Sequence, residues 1–205
     1  MQFEGLQANF LPIFNTNPPP RPYKGLNYDG GVVFKTAPVW VASIYTSNSP
    51  QFLGTNALGT IVISATQSSD TFSFKSCEVG LYIATGITEL VPPMDGTIVF
   101  TGTKPDGSQV VEKVQYTAAS IWTIKLLGIT LLGRAQTIPK TFTTLSGLTT
   151  LRITAENTAL FNILRNNATG NPIKDIKTLL GIDVTTALTG IAVDSLNYDV
   201  ITQTA

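Results

Sequence analysis

The sequence predicts an all-β protein built from two antiparallel sheets. Short runs of β-branched and aromatic residues alternate with turn-forming residues along most of the chain. Roughly nine to ten strands are predicted at this short spacing, which is typical of β-sandwiches and favours them over an α/β fold. The 17 Gly and 12 Pro residues supply the turns that so many strands need.

The composition is that of one domain with a sizeable core. The chain has 205 residues, of which 43% are hydrophobic and 13% are charged. A chain of this length hides roughly 70% of its unfolded surface when it folds. Charged residues make up about 25% of an average soluble domain, so this surface must be rich in Thr, Ser and Asn instead. We therefore expect a single domain over residues 1–205.

Charge and residue types exclude several classes of function. Thirteen basic and thirteen acidic residues give zero net charge, so we expect no nucleic-acid partner. The absence of histidine excludes Ser-His-Asp and Cys-His catalysis and histidine-ligated zinc. The single cysteine, Cys77, leaves no intrachain disulfide. No apolar run reaches the roughly 18 residues of a membrane span, and no glycine-rich phosphate-binding motif is present.

A proline-rich loop precedes the predicted strands in the chain. Residues 8–31 contain the run Pro18-Pro19-Pro20 together with several glycines, which predicts loop with polyproline character. The turn residues Lys104-Pro105-Asp106-Gly107 predict a hairpin between two of the strands. The predicted strands are 31–34, 39–45, 60–64, 72–74, 79–84, 97–102, 109–114, 141–145, 148–154 and 191–200.

Two insertions interrupt this rhythm. Residues 118–138 predict either an extra hairpin or a short apolar helix. Residues 156–187 combine short helix-forming pieces with the breakers Gly170, Pro172 and Gly181. Because long structureless loops are uncommon in compact domains, we expect two long ordered loops that contain short helices.

The motifs together resemble a known family. The chain opens with Phe3-Glu4-Gly5-Leu6, continues with Tyr23-Lys24-Gly25-Leu26-Asn27-Tyr28, and closes with Ala192-Val193-Asp194-Ser195-Leu196. In this order the motifs resemble secreted jelly-roll domains of filamentous fungi and of some bacterial surface proteins. The resemblance spans the whole chain apart from the two insertions. It implies a jelly-roll β-sandwich, a fungal source, and a secreted protein whose signal peptide has been removed.

The architecture is also similar to galactose-binding-like and carbohydrate-binding β-sandwiches. Many of these hold a structural Ca²⁺ between their first and last strands, and the resemblance places Glu4 and Asp194 at the corresponding positions. Asn27 or Asp29 would add loop oxygens, since calcium needs several oxygen ligands. The alternative interpretation is that Glu4 and Asp194 are rim carboxylates satisfied by backbone N–H groups or water.

Aromatic residues at the predicted rim are candidate sugar platforms. A flat ring stacks on a pyranose while amide and carboxyl side chains bind its hydroxyl groups. Tyr23, Tyr28 and Trp122 are the candidate rings, and Asn27 is the candidate hydroxyl-binding residue. Trp122 lies in the 118–138 insertion, where it forms either an exposed apolar lip or a packed contact.

The function predicted from these observations is non-catalytic recognition of a glycan or cell-wall polysaccharide. One alternative is a secreted interaction, adhesion or host-directed effector protein that uses the 118–138 insertion. Another is a polysaccharide lyase or hydrolase, which needs two acids about 5–10 Å apart. Asp194 and Asp199 are five residues apart on one predicted strand, hence on opposite faces, so they are not such a pair. No catalytic residue is predicted.

Overall fold

The computed structural model describes residues 3, 6, 18–35, 51–55, 60–84, 95–117, 124–126, 129–131, 137–156 and 188–202. Within these ranges the chain forms strands and turns and no helix, so the all-β class is confirmed for them. The strands are β1 (Leu26–Asp29), β2 (Val32–Lys35), β3 (Gln51–Gly54), β4 (Ile61–Ala65), β5 (Thr71–Ala84), β6 (Gly96–Thr103), β7 (Gln109–Tyr116), β8 (Ile124–Leu126), β9 (Ile129–Leu131), β10 (Ile138–Thr141), β11 (Thr150–Glu156) and β12 (Leu188–Ile201).

The strands form two antiparallel sheets, as the sequence predicts, and each sheet has five strands. The first sheet has the order β1-β4-β11-β6-β7, and the second has the order β10-β5-β12-β3-β2. Strands β8 and β9 pair only with each other among the described residues. Successive strands of the two large sheets change sheet except at β2 to β3 and at β6 to β7. The sheets are therefore connected mainly by crossovers.

One hydrophobic core lies between the two sheets. Inward-facing residues of both sheets, such as Ile63 and Phe100 in the first and Val79 and Val193 in the second, belong to a single buried cluster. Three phenylalanines join the layers, since the Phe100 ring lies 4.6 Å from that of Phe142, which lies 5.6 Å from that of Phe74. The two sheets therefore pack as a β-sandwich.

Two residues near the start of the chain also pack against this sandwich. Phe3 is fully buried, and its ring stacks on Tyr23 at 5.9 Å and meets Tyr28 edge-on at 5.7 Å. The Gln51 side chain donates a hydrogen bond to the Leu6 carbonyl oxygen at 3.1 Å. Because Tyr28 is in the first sheet and Gln51 in the second, these contacts bring the opening stretch against both sheets.

The hairpin predicted at residues 104–107 is confirmed. It joins β6 to β7, with Lys104 N donating to the Ser108 carbonyl oxygen at 2.9 Å. Inside the turn, Asp106 Oδ1 accepts hydrogen bonds from the hydroxyl of Ser108 at 2.7 Å and from its backbone N–H at 2.9 Å. Because these hydrogen bonds stabilise the ionised carboxylate, they lower the pKa of the Asp106 carboxyl.

Several strand boundaries differ from those predicted. β1 falls within residues 8–31, where prolines and glycines predict only loop, because β4 supplies a partner for a short alternating segment. β5 is continuous over 14 residues where two strands are predicted. β10 ends where the strand 141–145 is predicted to begin, and the following residues touch β5 only locally, as in the 2.8 Å bond from Phe74 N to the Leu145 carbonyl oxygen.

The structure describes only part of the two predicted insertions. Pairing of β8 with β9 confirms the hairpin alternative for residues 118–138. The strand predicted at 39–45 and the short helices predicted within 156–187 lie outside the described residues. The single domain over residues 1–205 stays a prediction.

Candidate functional site

Tyr28, predicted as a sugar platform, lies in the core. Its side chain is 1% exposed, and its hydroxyl donates to the Tyr198 hydroxyl at 3.4 Å. The Tyr198 hydroxyl in turn donates to the Lys24 carbonyl oxygen at 2.9 Å. Burial and the Tyr198 bond raise the pKa of Tyr28 above that of an ordinary tyrosine. Tyr28 therefore ties the two sheets together and offers no ring face to a ligand.

Tyr23 lies at the rim in a tight turn. Tyr23 N donates to the Leu26 carbonyl oxygen at 2.8 Å and Leu26 N returns the bond at 3.2 Å, while Lys24 and Gly25 between them have φ values of 49° and 85°. Two residues at positive φ are typical of the type I′ hairpin turn. The ring is partly exposed, stacked against Phe3, and has Lys24 Nζ 5.4 Å from its centroid.

Asn27 and Asp29 lie on the outer face of the first sheet. Leu26 and Tyr28 belong to the core, so the alternation of β1 directs Asn27 and Asp29 away from it. The Asp29 carboxylate forms an ion pair with the Arg21 guanidinium, and both side chains are about half exposed. Trp122 lies outside the described residues.

Asp194 occupies a different part of the molecule. It lies on β12 in the second sheet, is 0% exposed, and faces away from the core because Val193 faces into it. Asp29 and Asp194 therefore belong to the outer faces of different sheets and do not meet. Glu4 lies outside the described residues, so the calcium site stays a prediction. Within the described ranges no group of three or more Cys, Asp and Glu residues is arranged to hold a metal ion.

The prediction that Asp194 and Asp199 face opposite sides of the sheet is wrong. Asp194 pairs with Glu78, but the register of β12 against β5 then shifts, and the next pair is Asn197 with Ser76. Ser195, with φ of 50°, is at this bulge. The extra residue inverts the alternation, so that Val193, Leu196 and Tyr198 all pack toward the core. Asp194 and Asp199 consequently lie on the same face, with the bulge between them.

The bulge divides the outer face of the second sheet into a buried and an exposed half. In the buried half, Glu78 is 5% exposed and lies directly across from Asp194. Thr137 Oγ1 donates to Glu78 Oε2 at 2.8 Å. Cys77 faces the core, and its pKa is raised by burial and by the charges of Glu78 and Asp194. In the exposed half, Lys75 Nζ lies 2.5 Å from Asp199 Oδ2.

Replacing Thr137 by valine is expected to destabilise the fold by about 1.5–3 kcal/mol. The substitution keeps the shape and removes a hydrogen bond to a buried carboxylate, which is the costly kind of bond to lose. Thr144→Val is the matched control, since its hydroxyl donates to Glu112 at 2.6 Å in an exposed setting. Urea unfolding of both variants measures the difference. We expect Thr144→Val to cost less than about 0.5 kcal/mol, and equal costs would contradict the role of burial.

Much of the outer face of the first sheet is open and polar, although Thr97 and Val99, which face outward from β6, are each only 5% exposed. Five side chains at register positions on five adjacent strands form a continuous row, which we call the polar row. All five are partly or fully exposed, and none carries a charge. At about 4.8 Å between strands, the row spans about 19 Å. In order from β1 to β7 it consists of Asn27, Ser64, Thr150, Thr103 and Gln109.

Only Asn27 of the polar row is singled out by the sequence. Thr103 and Thr150 sit in strands in which threonines alternate with apolar residues or glycine over part of the length, and this signal points to a solvent-facing side. Ser64 and Gln109 sit in the strands IVISA and QVVEKVQY, which carry no such signal. In neither case does the sequence show that the residues lie side by side. Their alignment depends on the pairing of strands distant in sequence, such as Ser64 with Thr150.

Comparison of the chain with protein-family models, with curated proteins and with solved structures finds no match. Among the residues that the structure describes, no helix is long and apolar enough to cross a membrane.

Proposed function

We propose that this protein is a non-catalytic glycan-recognition protein that binds a polysaccharide on the outer face of the first sheet. The observation that carries the proposal is the polar row, an open line of uncharged donors and acceptors across five strands. Hydroxyl and amide side chains each donate and accept hydrogen bonds, as sugar hydroxyls do.

The rest of the molecule is consistent with a scaffold for that face. The outer face of the second sheet is partly buried, with Phe52, Glu78 and Asp194 each at most 5% exposed. The two sheets share one core that supports the open face from behind. Sites built on strands keep their side chains in place better than sites on loops, which lowers the entropy cost of binding.

We further propose the jelly-roll connectivity and a secreted location for the chain. The frequent crossing of successive strands between the sheets supports the first. The second rests on the resemblance to secreted domains and on the low charge of the surface. A glycan partner outside the cell fits both.

A polysaccharide array followed by a matched pair of double variants tests this function. We expect the protein to bind at least one polysaccharide, and Thr103→Ala/Thr150→Ala to weaken that binding by about tenfold, because two hydrogen bonds are lost. The control is Ser76→Ala/Thr141→Ala, since these residues are also cross-strand partners, on the exposed half of the second sheet. Unchanged thermal unfolding checks that both variants are folded.

Two results would count against the proposal. Absence of binding to every polysaccharide on the array would reject glycan recognition. Equal weakening by both double variants would reject the polar row as the binding surface.

A further inference from the structure

Arg152 lies at the centre of the open face. It is on β11, the middle strand of the first sheet, and its side chain is exposed. Leu151 and Ile153 face the core, so Arg152 faces outward with Thr150 of the polar row. Its partners on the two adjacent strands are Val62 and Thr101.

No acidic residue surrounds Arg152 on this face. The eight neighbouring positions, along its own strand, across to the adjacent strands and on the diagonals, are all neutral. Six of them carry hydroxyl groups and two are valines. These neighbours are Thr60, Val62, Ser64, Val99, Thr101, Thr103, Thr150 and Thr154.

The other charged side chains on the described strands of this face form ion pairs. Lys113 Nζ lies 2.8 Å from Glu156 Oε2, and Asp29 pairs with Arg21. Arg152 forms no ion pair with any residue that the structure describes. Among the residues that the structure describes, this face therefore presents one unpaired positive charge at its centre, with hydroxyl groups at six of the eight neighbouring positions.

We infer that the ligand of this face is an acidic glycan, a polysaccharide that carries uronate groups. This inference rests on the proposed function and names its substrate class. A guanidinium presents a planar fork of N–H donors that matches a carboxylate with two parallel hydrogen bonds. The hydroxyl groups of Thr101 and Thr150 lie beside it and donate to the same carboxylate or to the sugar ring. The sugar units on either side contact the rest of the polar row.

The test compares an oligogalacturonate with a neutral cello-oligosaccharide of equal length by isothermal titration calorimetry. We expect the acidic oligosaccharide to bind the wild-type protein about tenfold more tightly or better, and Arg152→Gln to abolish that preference. Arg152→Lys keeps the charge and loses the fork, so it should retain only part of the preference. Lys75→Gln removes the same charge from the second sheet and should change nothing. Thermal unfolding of the Arg152 variants should match the wild type, and that of Lys75→Gln should differ only slightly, because its ion pair with Asp199 is exposed.

The outcomes separate this inference from the function it rests on. Equal binding of both oligosaccharides, unchanged in Arg152→Gln, overturns the acidic ligand and leaves glycan recognition standing. Binding of no glycan at all overturns both. Equal weakening by Lys75→Gln and Arg152→Gln shows attraction by overall charge, and overturns the assignment to Arg152.

Discussion

Gly30→Ala is expected to destabilise the protein by about 2–5 kcal/mol, combining backbone strain with overlap against a neighbouring strand. Gly30 has φ of 72° at the crossover from β1 to β2, in a region that costs an alanine about 1–2 kcal/mol. A Cβ atom there would also overlap the backbone carbonyl oxygen of Thr60, just before β4. Because that oxygen belongs to the main chain, it cannot move away as a side chain would.

The control for Gly30→Ala is Gly107→Ala. Gly107 has φ of 82° in the β6–β7 turn, and nothing lies within 4 Å of the position its Cβ would occupy. This variant should therefore show only the backbone cost, about 1–2 kcal/mol. Urea unfolding of both proteins isolates the contact with Thr60, and equal destabilisation would show that the close approach of β4 contributes nothing.

Phe100→Ala is expected to cost about 3–5 kcal/mol, the usual range for removing a fully buried phenylalanine. The ring is 0% exposed and lies 4.6 Å from Phe142 and 6.3 Å from Phe74, which belongs to the second sheet. Its removal leaves a cavity at the contact between the two sheets. The free energy of unfolding in urea measures the effect.

Two further variants serve as controls for the loss of stability in Phe100→Ala. Phe100→Leu keeps most of the volume and should cost less than about 1.5 kcal/mol. Val111→Ala, on β7 at a position 53% exposed, should stay within about 0.5 kcal/mol of the wild type. If Phe100→Ala were as mild as Val111→Ala, Phe100 would not join the sheets.

The strands that the sequence predicts well are those whose alternation is long and bounded by turns. β6 and β7 are found with their hairpin, since Pro105, Asp106 and Gly107 form a local signal. β1 and β10 are missed, because each is a four-residue strand whose existence depends on a partner distant in the chain. Pro139 lies within β10 and Pro22 four residues before β1, and both make the local strand signal weaker still.

Only a few residues of the candidate site could be predicted from the sequence. Asn27 lies on the open face as a partly exposed polar residue, whereas Tyr28, one position along, is buried because the strand alternates. The bulge at Ser195 places Asp199 on the same face of the sheet as Asp194. No feature of the local sequence predicts this bulge. Arg152 has no distinguishing motif, and its position becomes informative only when its neighbours are known.

The sequence by itself determined the all-β class, the β6–β7 hairpin and the exclusion of histidine chemistry, because each depends on residue type or on short spacing. Tertiary structure decided which sheet face is open, which residues form the polar row, and that Glu78 lies across from Asp194. The physical reason is that side-chain alternation is a property of two neighbouring residues, whereas register is set by the burial of a whole face against another sheet. A shift of one residue would leave the strands in place and turn Arg152 and the polar row into the core.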